Sequence, residues 1–318
     1  MTRDLVVVGC SAGGLEALIA IMGSLPTDLP AAVLVVQHSP VGSESMLPAI
    51  LARSGPLPAS AARDAEPIGR GRIYTAPSGS HLIVEDGILR LSKGPRENGH
   101  RPAVDPLFRS AARAVGPRAI GVVLSGTLDD GAIGLRHIKT YGGLAVVQSP
   151  EDAAYPDMPR NAIATVSPDF VAPASEIATL VDRIAREPIP PEDIERAASA
   201  LSAERSTLGS TATMLSCPEC GGTLRVTEMG GRELYRCHSG HAYSELTLEA
   251  AQNTRVETAL SHAYRALVEQ ATILRRLAER SRNWGHGLVL ERMEERAREA
   301  EQKAAFIHHA ITGHVKAD

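Results

Sequence analysis

The sequence lacks a basic surplus and any long apolar run. Its 33 Lys and Arg side chains are outnumbered by 37 Asp and Glu, giving a net charge of −4, which argues against bulk binding to nucleic acid or to anionic membranes. No apolar run approaches the roughly 18 residues that cross a bilayer, and the first run, 5–9, is too short for a signal peptide. We therefore expect a soluble, cytoplasmic protein without membrane insertion.

Cysteine is also scarce, with four in 318 residues. Three of them, Cys217, Cys220 and Cys237, are clustered in the sequence. This clustering argues against a framework of disulfide bonds and favours a metal site. The remaining composition, 43% apolar and 22% charged, is that of an ordinary globular protein. The length suggests about two domains.

The first 186 residues alternate short β-branched runs with helical patterns, which predicts a doubly wound α/β domain with a mostly parallel sheet. The segment 85–87, Glu-Asp-Gly between two strand runs, is a hairpin signal and predicts an antiparallel edge. The predicted strands are 5–8, 33–37, 72–75, 82–84, 89–91, 120–124 and 144–147. The predicted helices are 14–23, 45–53, 104–115, 132–140 and 176–186.

The rest of the chain divides at a proline cluster, Pro188, Pro190 and Pro191, which is typical of a domain boundary. The predicted order is a catalytic domain at 1–187, a linker with a short helix at 188–214, a zinc-ribbon-like module at 215–244 and a helical hairpin at 245–318. Apolar residues of the last segment alternate steps of three and four, and 283–287 is its predicted turn. This tail is either a structural hairpin or a coiled coil for self-association or a protein partner.

Reactive residues follow three predicted strands. Ser11 follows the first strand, His38 the second, and Asp130 the strand at 120–124. Ligands and catalytic groups of a doubly wound sheet lie outside the carboxyl ends of its strands, so the three side chains converge. They are the parts of a nucleophile, a general base and an orienting carboxylate, because a serine hydroxyl is a weak nucleophile until a histidine takes its proton.

Each residue alone has a plainer reading. A glycine-rich turn after a first strand is more often a dinucleotide cradle, His38 a strand-end histidine and Asp130 a turn residue. The dinucleotide-binding fingerprint, however, requires glycine at the position of Ser11 and an acidic residue after the second strand, where this chain has Gln37 and His38. The sequence also contains no P-loop motif. In α/β-hydrolases the triad residues follow the chain order Ser, Asp, His, whereas here the order is Ser11, His38, Asp130. The convergence of all three residues favours catalysis.

The cysteine cluster has the spacing of a zinc ribbon. We assign Cys217, Cys220, Cys237 and His241 as ligands, with His238 as the alternative to His241. Such a closed four-ligand site holds a structural zinc ion, because no position is left for water. Two other readings are three thiols without metal and a redox C-x-x-C, which lacks its usual βαβ context.

The first domain closely resembles the catalytic domain of the chemotaxis protein-glutamate methylesterases, the CheB type. The resemblance covers nearly all of residues 1–186 in unbroken order. The segments that carry it are Gly9-Cys10-Ser11-Ala12-Gly13-Gly14, Gln37-His38-Ser39-Pro40, Ile73-Tyr74-Thr75-Ala76-Pro77, His100-Arg101-Pro102-Ala103-Val104-Asp105, Leu124-Ser125-Gly126 through Asp130-Gly131-Ala132, and Met158-Pro159-Arg160.

The resemblance implies a serine esterase that needs no cofactor for catalysis. It places the nucleophile on Ser11, the base on His38, the orienting acid on Asp130 and a backbone oxyanion donor on Thr127. The family removes methyl esters from glutamates on the cytoplasmic helices of chemoreceptors, releasing methanol, and some members deamidate receptor glutamines. The implied partner is therefore a methylated chemoreceptor.

Two departures from the family pattern bear on regulation and rate. Regulated members carry a receiver domain ahead of the catalytic one, whereas this chain starts with the first strand, so we expect a receiver-less homologue with a zinc-ribbon-like and helical tail. Ala12 and Thr127 replace a common threonine and methionine beside the oxyanion site that the resemblance implies. A non-catalytic signalling adaptor, and an esterase for a non-chemotactic protein methyl ester, are the alternative functions.

Overall fold

A computed structural model of the chain describes residues 1–38, 45–204, 210–229, 232–283 and 287–312. It divides the chain into two compact units, Met1–Leu248 and Glu249–Asp318. The strands are β1 (Leu5–Cys10), β2 (Ala32–Gln37), β3 (Ala59–Ala61), β4 (Glu66–Pro67), β5 (Ile73–Thr75), β6 (His81–Glu85), β7 (Ile88–Ser92), β8 (Ala119–Val123), β9 (Leu144–Gln148), β10 (Phe170–Ala172), β11 (Thr211–Ser216), β12 (Thr223–Met229), β13 (Arg232–Cys237) and β14 (Ala242–Tyr243).

Most helices lie in the first unit, and the last two form the second unit. They are α1 (Gly14–Ser24), α2 (Leu47–Ser54), α3 (Val104–Val115), α4 (Ala132–Thr140), α5 (Asp157–Val166), α6 (Ala174–Arg186), α7 (Pro191–Glu204), α8 (Glu245–Asn283) and α9 (Gly287–Thr312). A short 3-10 helix, Gly116–Arg118, precedes β8.

A seven-stranded parallel sheet is the centre of the first unit, in the order β10-β9-β8-β1-β2-β5-β3. Every residue of β1 is buried, as expected of a strand covered on both faces. One face packs on α1, α2 and α6, and the other on α3, α4 and α5. The doubly wound, mostly parallel α/β fold predicted from the sequence is confirmed.

The predicted hairpin at 85–87 is also present. Asp86 and Gly87 both have positive φ angles, 49° and 79°, as a two-residue hairpin turn requires. The strands that it joins, β6 and β7, pair with β4 in a separate three-stranded antiparallel sheet. The antiparallel strands therefore pack beside the parallel sheet and do not extend its edge.

The order of the parallel strands reverses between β1 and β8. The chain builds outward from β1 through β2 to β5, and then returns to place β8, β9 and β10 on the other side of β1. A crevice forms at such a switch point, outside the carboxyl ends of the strands. The loops after β1 and β8, which carry Ser11 and Asp130, lie at this crevice.

A four-stranded antiparallel sheet, β11-β12-β13-β14, carries the cysteine cluster and belongs to the first compact unit. Its strand β11 begins at Thr211, inside the segment predicted as linker, and α7 is the short helix predicted there. Ile133 of α4 packs with Leu234 and Ala242 of this sheet. We call residues 211–247, from β11 to the first turn of α8, the C-terminal module.

The second unit contains the rest of α8 and all of α9. Alanine and leucine side chains form its apolar buried contacts, and Arg275 pairs with Glu301 across the two helices at 2.8 Å. Its buried apolar residues are Ala271, Leu274, Ala278, Ala297, Ala300 and Ala304. The predicted turn falls largely on 284–286, outside the described residues. Within the described segments, no helix is long and apolar enough to span a membrane.

Candidate active site

Ser11 lies in the turn between β1 and α1. Its N–H donates to Ser125 O at 2.9 Å, so the loops after β1 and β8 are joined at the nucleophile candidate. Gly13 makes the turn with φ of 66°, a conformation that favours glycine. A Cβ on this glycine would also lie 2.6 Å from that of Ala154. Ser11 thus lies in a tight turn that leads directly into α1.

His38 follows β2 and contacts both other candidates. Its Nδ1 lies 3.0 Å from Ser11 Oγ, and its Nε2 lies 2.7 Å from Asp130 Oδ2. An ionised carboxylate only accepts hydrogen bonds, so Nε2 carries the proton and donates to Asp130. The free lone pair of Nδ1 is then left to accept the Ser11 hydroxyl proton. The structure thus brings the three predicted residues into one hydrogen-bonded chain.

Asp130 is 2% exposed and is surrounded by donors. The backbone N–H groups of Val104 and Asp105, at the beginning of α3, donate to it at 2.7 and 3.2 Å, and Asn98 Nδ2 donates at 2.9 Å. Burial alone would raise the pKa of Asp130, but the hydrogen bonds from His38, Val104 and Asn98 outweigh it and hold the pKa well below its usual range. The carboxylate stays ionised beside His38.

A second buried carboxylate, Asp105, lies beside Asp130. Its Oδ1 accepts from the backbone of Gly131 and Gly134 at 3.1 and 2.7 Å. Burial and the negative charge of Asp130 raise the pKa of Asp105 well above its ordinary value. Asp105 lies in the segment 100–105 that carries the resemblance and Asn98 lies just before it, but the sequence indicated no role for either residue. Their contacts depend on a turn that places 97–105 across the end of the sheet.

The loop after β8 borders Ser11. Ser125 Oγ donates to Ala12 O at 2.8 Å and accepts from Tyr155 N. A Cβ on Gly126 would lie 2.8 Å from Ser11 Cβ, so only glycine fits this contact. Thr127 is the next residue of this loop and is exposed. Its role as oxyanion donor stays a prediction.

The remaining cysteine of the α/β domain has no part in this arrangement. Cys10 directly precedes Ser11 and is fully buried. Burial raises its pKa to about 12, so the nucleophilic thiolate is disfavoured.

His100 stacks on His38. The two rings are 3.7 Å apart and nearly parallel, at 8°. Burial, with the neighbouring His38 adding to it, lowers the pKa of His100 to about 4. The neutral ring therefore covers one face of the base candidate without competing for Asp130. His100 lies in a segment that carries the resemblance, but the sequence alone indicated no role for it.

Replacing His100 with Phe is expected to reduce the loss of stability in acid. Because the pKa of His100 is lowered in the folded state, the unfolded chain binds the proton more tightly. The contribution of neutral His100 to the free energy of unfolding is therefore fully present above pH 6.5 and is lost as the pH drops toward 4. From pH 7 to 4.5 this residue accounts for about 2–3 kcal/mol. Urea unfolding at both pH values should show a loss smaller by about that amount in His100→Phe. An equal loss in the two proteins would contradict the assignment.

The cysteine cluster is compact. The ligand atoms of Cys217, Cys220, Cys237 and His241 all lie within 4.8 Å of one another. The Sγ atoms of Cys220 and Cys237 are 3.6 Å apart, and Cys237 Sγ lies 3.5 Å from His241 Nδ1. Zn–S bonds of about 2.3 Å in a tetrahedron separate two sulfurs by about 3.8 Å. The donor set and its spacing therefore fit a zinc ion.

The surroundings of the two histidines distinguish them. His241 Nε2 lies 3.2 Å from Glu219 Oε2, so its outer nitrogen donates to a carboxylate while Nδ1 faces the thiols. A carboxylate partner of this kind usually supports a metal-binding histidine. The sequence pattern did not indicate this role for Glu219. His238 instead packs its ring against Gly222, where a Cβ would lie 2.6 Å away.

A matched pair of variants tests this difference. We expect His241→Asn to lower zinc affinity at least about 100-fold, because it removes a ligand, whereas His238→Asn should retain one zinc ion per chain. Native mass spectrometry after titration with a competing chelator measures both. Equal zinc retention in the two variants, or loss in His238→Asn alone, would contradict the assignment.

A serine, a histidine and an ionised carboxylate, linked in this order at the strand ends of a parallel α/β sheet, are the parts of a serine hydrolase site. The family model described as CheB methylesterase matches residues 6–181. The chain belongs to this family. The Cys and His cluster lies outside the matched residues.

Relatives and a solved structure agree with this placement. A protein-glutamate methylesterase/protein-glutamine glutaminase 2 of Anaeromyxobacter dehalogenans is 42% identical over 58% of this chain and 54% of its own length. A putative enzyme of the same description from Leptospira interrogans is 39% identical over 58% of this chain and 96% of its own. The crystal structure of the Thermotoga maritima CheB methylesterase catalytic domain is 33% identical, with a TM-score of 0.55 over 57% of this chain and 99% of that one.

The match thus spans about half of the Anaeromyxobacter protein and nearly all of the Leptospira one. It accounts for the α/β domain of this chain.

Proposed function

We propose that the protein is a serine esterase that removes methyl esters from glutamate side chains of chemoreceptors, yielding glutamate and methanol. The observation that carries the proposal is the chain of hydrogen bonds from Ser11 through His38 to Asp130. It occurs in a domain whose relatives are named protein-glutamate methylesterases. A signalling adaptor would have no need of this arrangement.

The first step is acylation of Ser11. As Ser11 Oγ attacks the ester carbonyl carbon, its proton passes to His38 Nδ1, and Asp130 stabilises the imidazolium through Nε2–H. The carbonyl oxygen becomes an oxyanion, which we assign to the N–H of Thr127. Collapse of the intermediate breaks the bond to the methoxy oxygen, and His38 returns the proton to release methanol.

The second step is hydrolysis of the glutamyl-enzyme. A water molecule gives its proton to His38 Nδ1 and attacks the acyl carbon, and the proton then returns to Ser11 Oγ as the glutamate leaves. A glutamine side chain would follow the same course with ammonia as the leaving group. This extends the proposal to deamidation, an activity named in the descriptions of the relatives.

The Cys and His cluster takes no part in these steps. Cys217, Cys220, Cys237 and His241 would hold a zinc ion in a closed four-ligand site, which contributes folding free energy and leaves no position for a substrate. We therefore propose that zinc is structural and that no cofactor contacts the reacting atoms during ester hydrolysis.

Methanol release from a methylated chemoreceptor cytoplasmic fragment tests the proposal. Ester hydrolysis predicts one methanol for each methyl group lost, with the receptor mass falling by the corresponding methylene. Binding of the fragment without methanol release would instead indicate an adaptor. Methanol release from other methylated proteins, but not from receptor fragments, would support the esterase activity and contradict the chemoreceptor as its substrate.

A further inference from the structure

Asn98 connects the candidate active site to the C-terminal module. Its Nδ2 donates to Asp130 Oδ1 at 2.9 Å and to Asp105 Oδ2 at 3.0 Å. On the other side, its Oδ1 accepts from Ser244 N at 3.0 Å and from Thr247 Oγ1 at 2.9 Å. Asn98 is 5% exposed, so these contacts are sheltered from competing water.

The orientation of the Asn98 amide is fixed by its partners. Ionised carboxylates only accept and a backbone N–H only donates. Because Asp130 is ionised and Ser244 offers a backbone N–H, the NH2 group of Asn98 must face Asp130 and its oxygen must face Ser244. Reversing the amide would place its oxygen against the Asp130 carboxylate. The C-terminal module thus binds Oδ1 of Asn98, while Nδ2 of the same side chain binds Asp130.

Backbone contacts reinforce the same junction. Asn98 N donates to Ala242 O at 2.8 Å, and Ala242 N donates to Arg96 O at 3.3 Å. Ser244 Oγ donates to Asp129 Oδ1 at 2.6 Å. Asp129 directly precedes Asp130, so the module contacts the catalytic carboxylate candidate both through Asn98 and through its own loop.

The junction is also continuous with the metal cluster. Ala242 directly follows His241, whose backbone oxygen accepts from Cys237 N at 3.0 Å. Ser244 Oγ accepts from Thr247 N at 3.1 Å, which caps the beginning of α8. A metal ion that fixes His241 would therefore fix the segment 242–247, which holds Asn98.

We propose that Asn98 is a positioning residue for Asp130 and that the C-terminal module, when it holds zinc, fixes Asn98 for this task. The zinc module is then a structural part of the active site, and metal loading sets the reactivity of Ser11. This inference rests on the serine esterase chemistry proposed above, and it does not depend on which ester is the substrate.

Modification of Ser11 by a fluorophosphonate is the readout, because its rate reports how well His38 and Asp130 activate the serine without any natural substrate. Thr247→Val keeps the side-chain shape and removes one donor to Asn98, and we expect labelling about ten-fold slower. Thr247→Ser keeps the hydroxyl and should restore the wild-type rate. Thr213→Val removes a hydroxyl that donates to Leu224 O in the same module, and we expect no change.

Metal removal is the second arm. In the full-length wild type, a chelator should slow labelling at least as much as Thr247→Val does, and Zn²⁺ alone should restore the rate. In Asn98→Ala the chelator should have little further effect, because the link is already broken. The NMR resonance of the His38 Nε2 proton should shift in Thr247→Val and stay in place in Thr213→Val. Circular dichroism checks that each protein remains folded.

The outcomes separate this inference from the proposed function. Labelled Ser11 without methanol release from receptor fragments would overturn the proposed substrate and leave the positioning role intact. Equal labelling rates and an unmoved His38 resonance in Thr247→Val and wild type would overturn the positioning role of the module while the esterase stands. An equal effect of the chelator in Asn98→Ala and wild type would overturn the metal link, and absence of Ser11 labelling in wild type would overturn both proposals.

Discussion

Ser11→Ala is expected to lower kcat for methyl ester hydrolysis by about 10⁴-fold or more, equivalent to about 5 kcal/mol of transition-state stabilisation. Without Oγ, His38 has no nucleophile to deprotonate at 3.0 Å, and only water attack in a shaped site remains. Because the hydroxyl acts in the chemical step, we expect KM to change little. Methanol release under steady-state conditions measures both constants.

A serine at the other end of the same helix provides the control. Ser24 is exposed at the end of α1, and its hydroxyl donates to Ala20 O. Ser24→Ala should therefore keep wild-type kcat and KM. A Ser11→Ala protein that still releases methanol at a tenth or more of the wild-type rate would remove Ser11 from the role of nucleophile.

Asp130→Asn is expected to lower kcat by about 10³–10⁴-fold. The variant loses the charge that stabilises the imidazolium of His38. Where the new amide NH2 faces Nε2, the ring must place its proton on Nδ1, which can then no longer accept the Ser11 proton. The two effects act in the chemical step, so kcat should fall far more than KM rises.

Asp182→Asn is the matched control for this substitution. Asp182 pairs with Arg186 on α6 at 2.9 Å and lies outside the candidate site, so its loss should leave kcat unchanged. Thermal unfolding of both variants separates catalysis from folding. A folded Asp130→Asn protein with kcat within ten-fold of wild type would contradict the orienting role.

Much of the α/β domain could be predicted because its determinants are local. Continuous apolar runs such as β1 mark strands buried on both faces, and the alternation with helices defines a doubly wound sheet. The convergence of Ser11, His38 and Asp130 follows from that topology, since parallel strands end at the same edge of the sheet. The ligand spacing of the cysteine cluster is likewise local.

The contacts between distant segments could not be predicted. The role of Asn98 depends on hydrogen bonds to Asp130, 32 positions away, and to Ser244, 146 positions away. No periodicity or spacing encodes such a junction. The stacking of His100 on His38 has the same origin, as does Glu219 behind His241, because each needs the folded chain to place two turns together.

The most direct test of the central claim is the position of the acyl group in an acid-quenched reaction with a methylated receptor fragment. Mass spectrometry of the digested protein should find a glutamyl adduct on Ser11, in the peptide that follows β1. The adduct should also disappear as methanol release reaches completion. Methanol release with no adduct on Ser11, or with the adduct on another residue, would contradict the account.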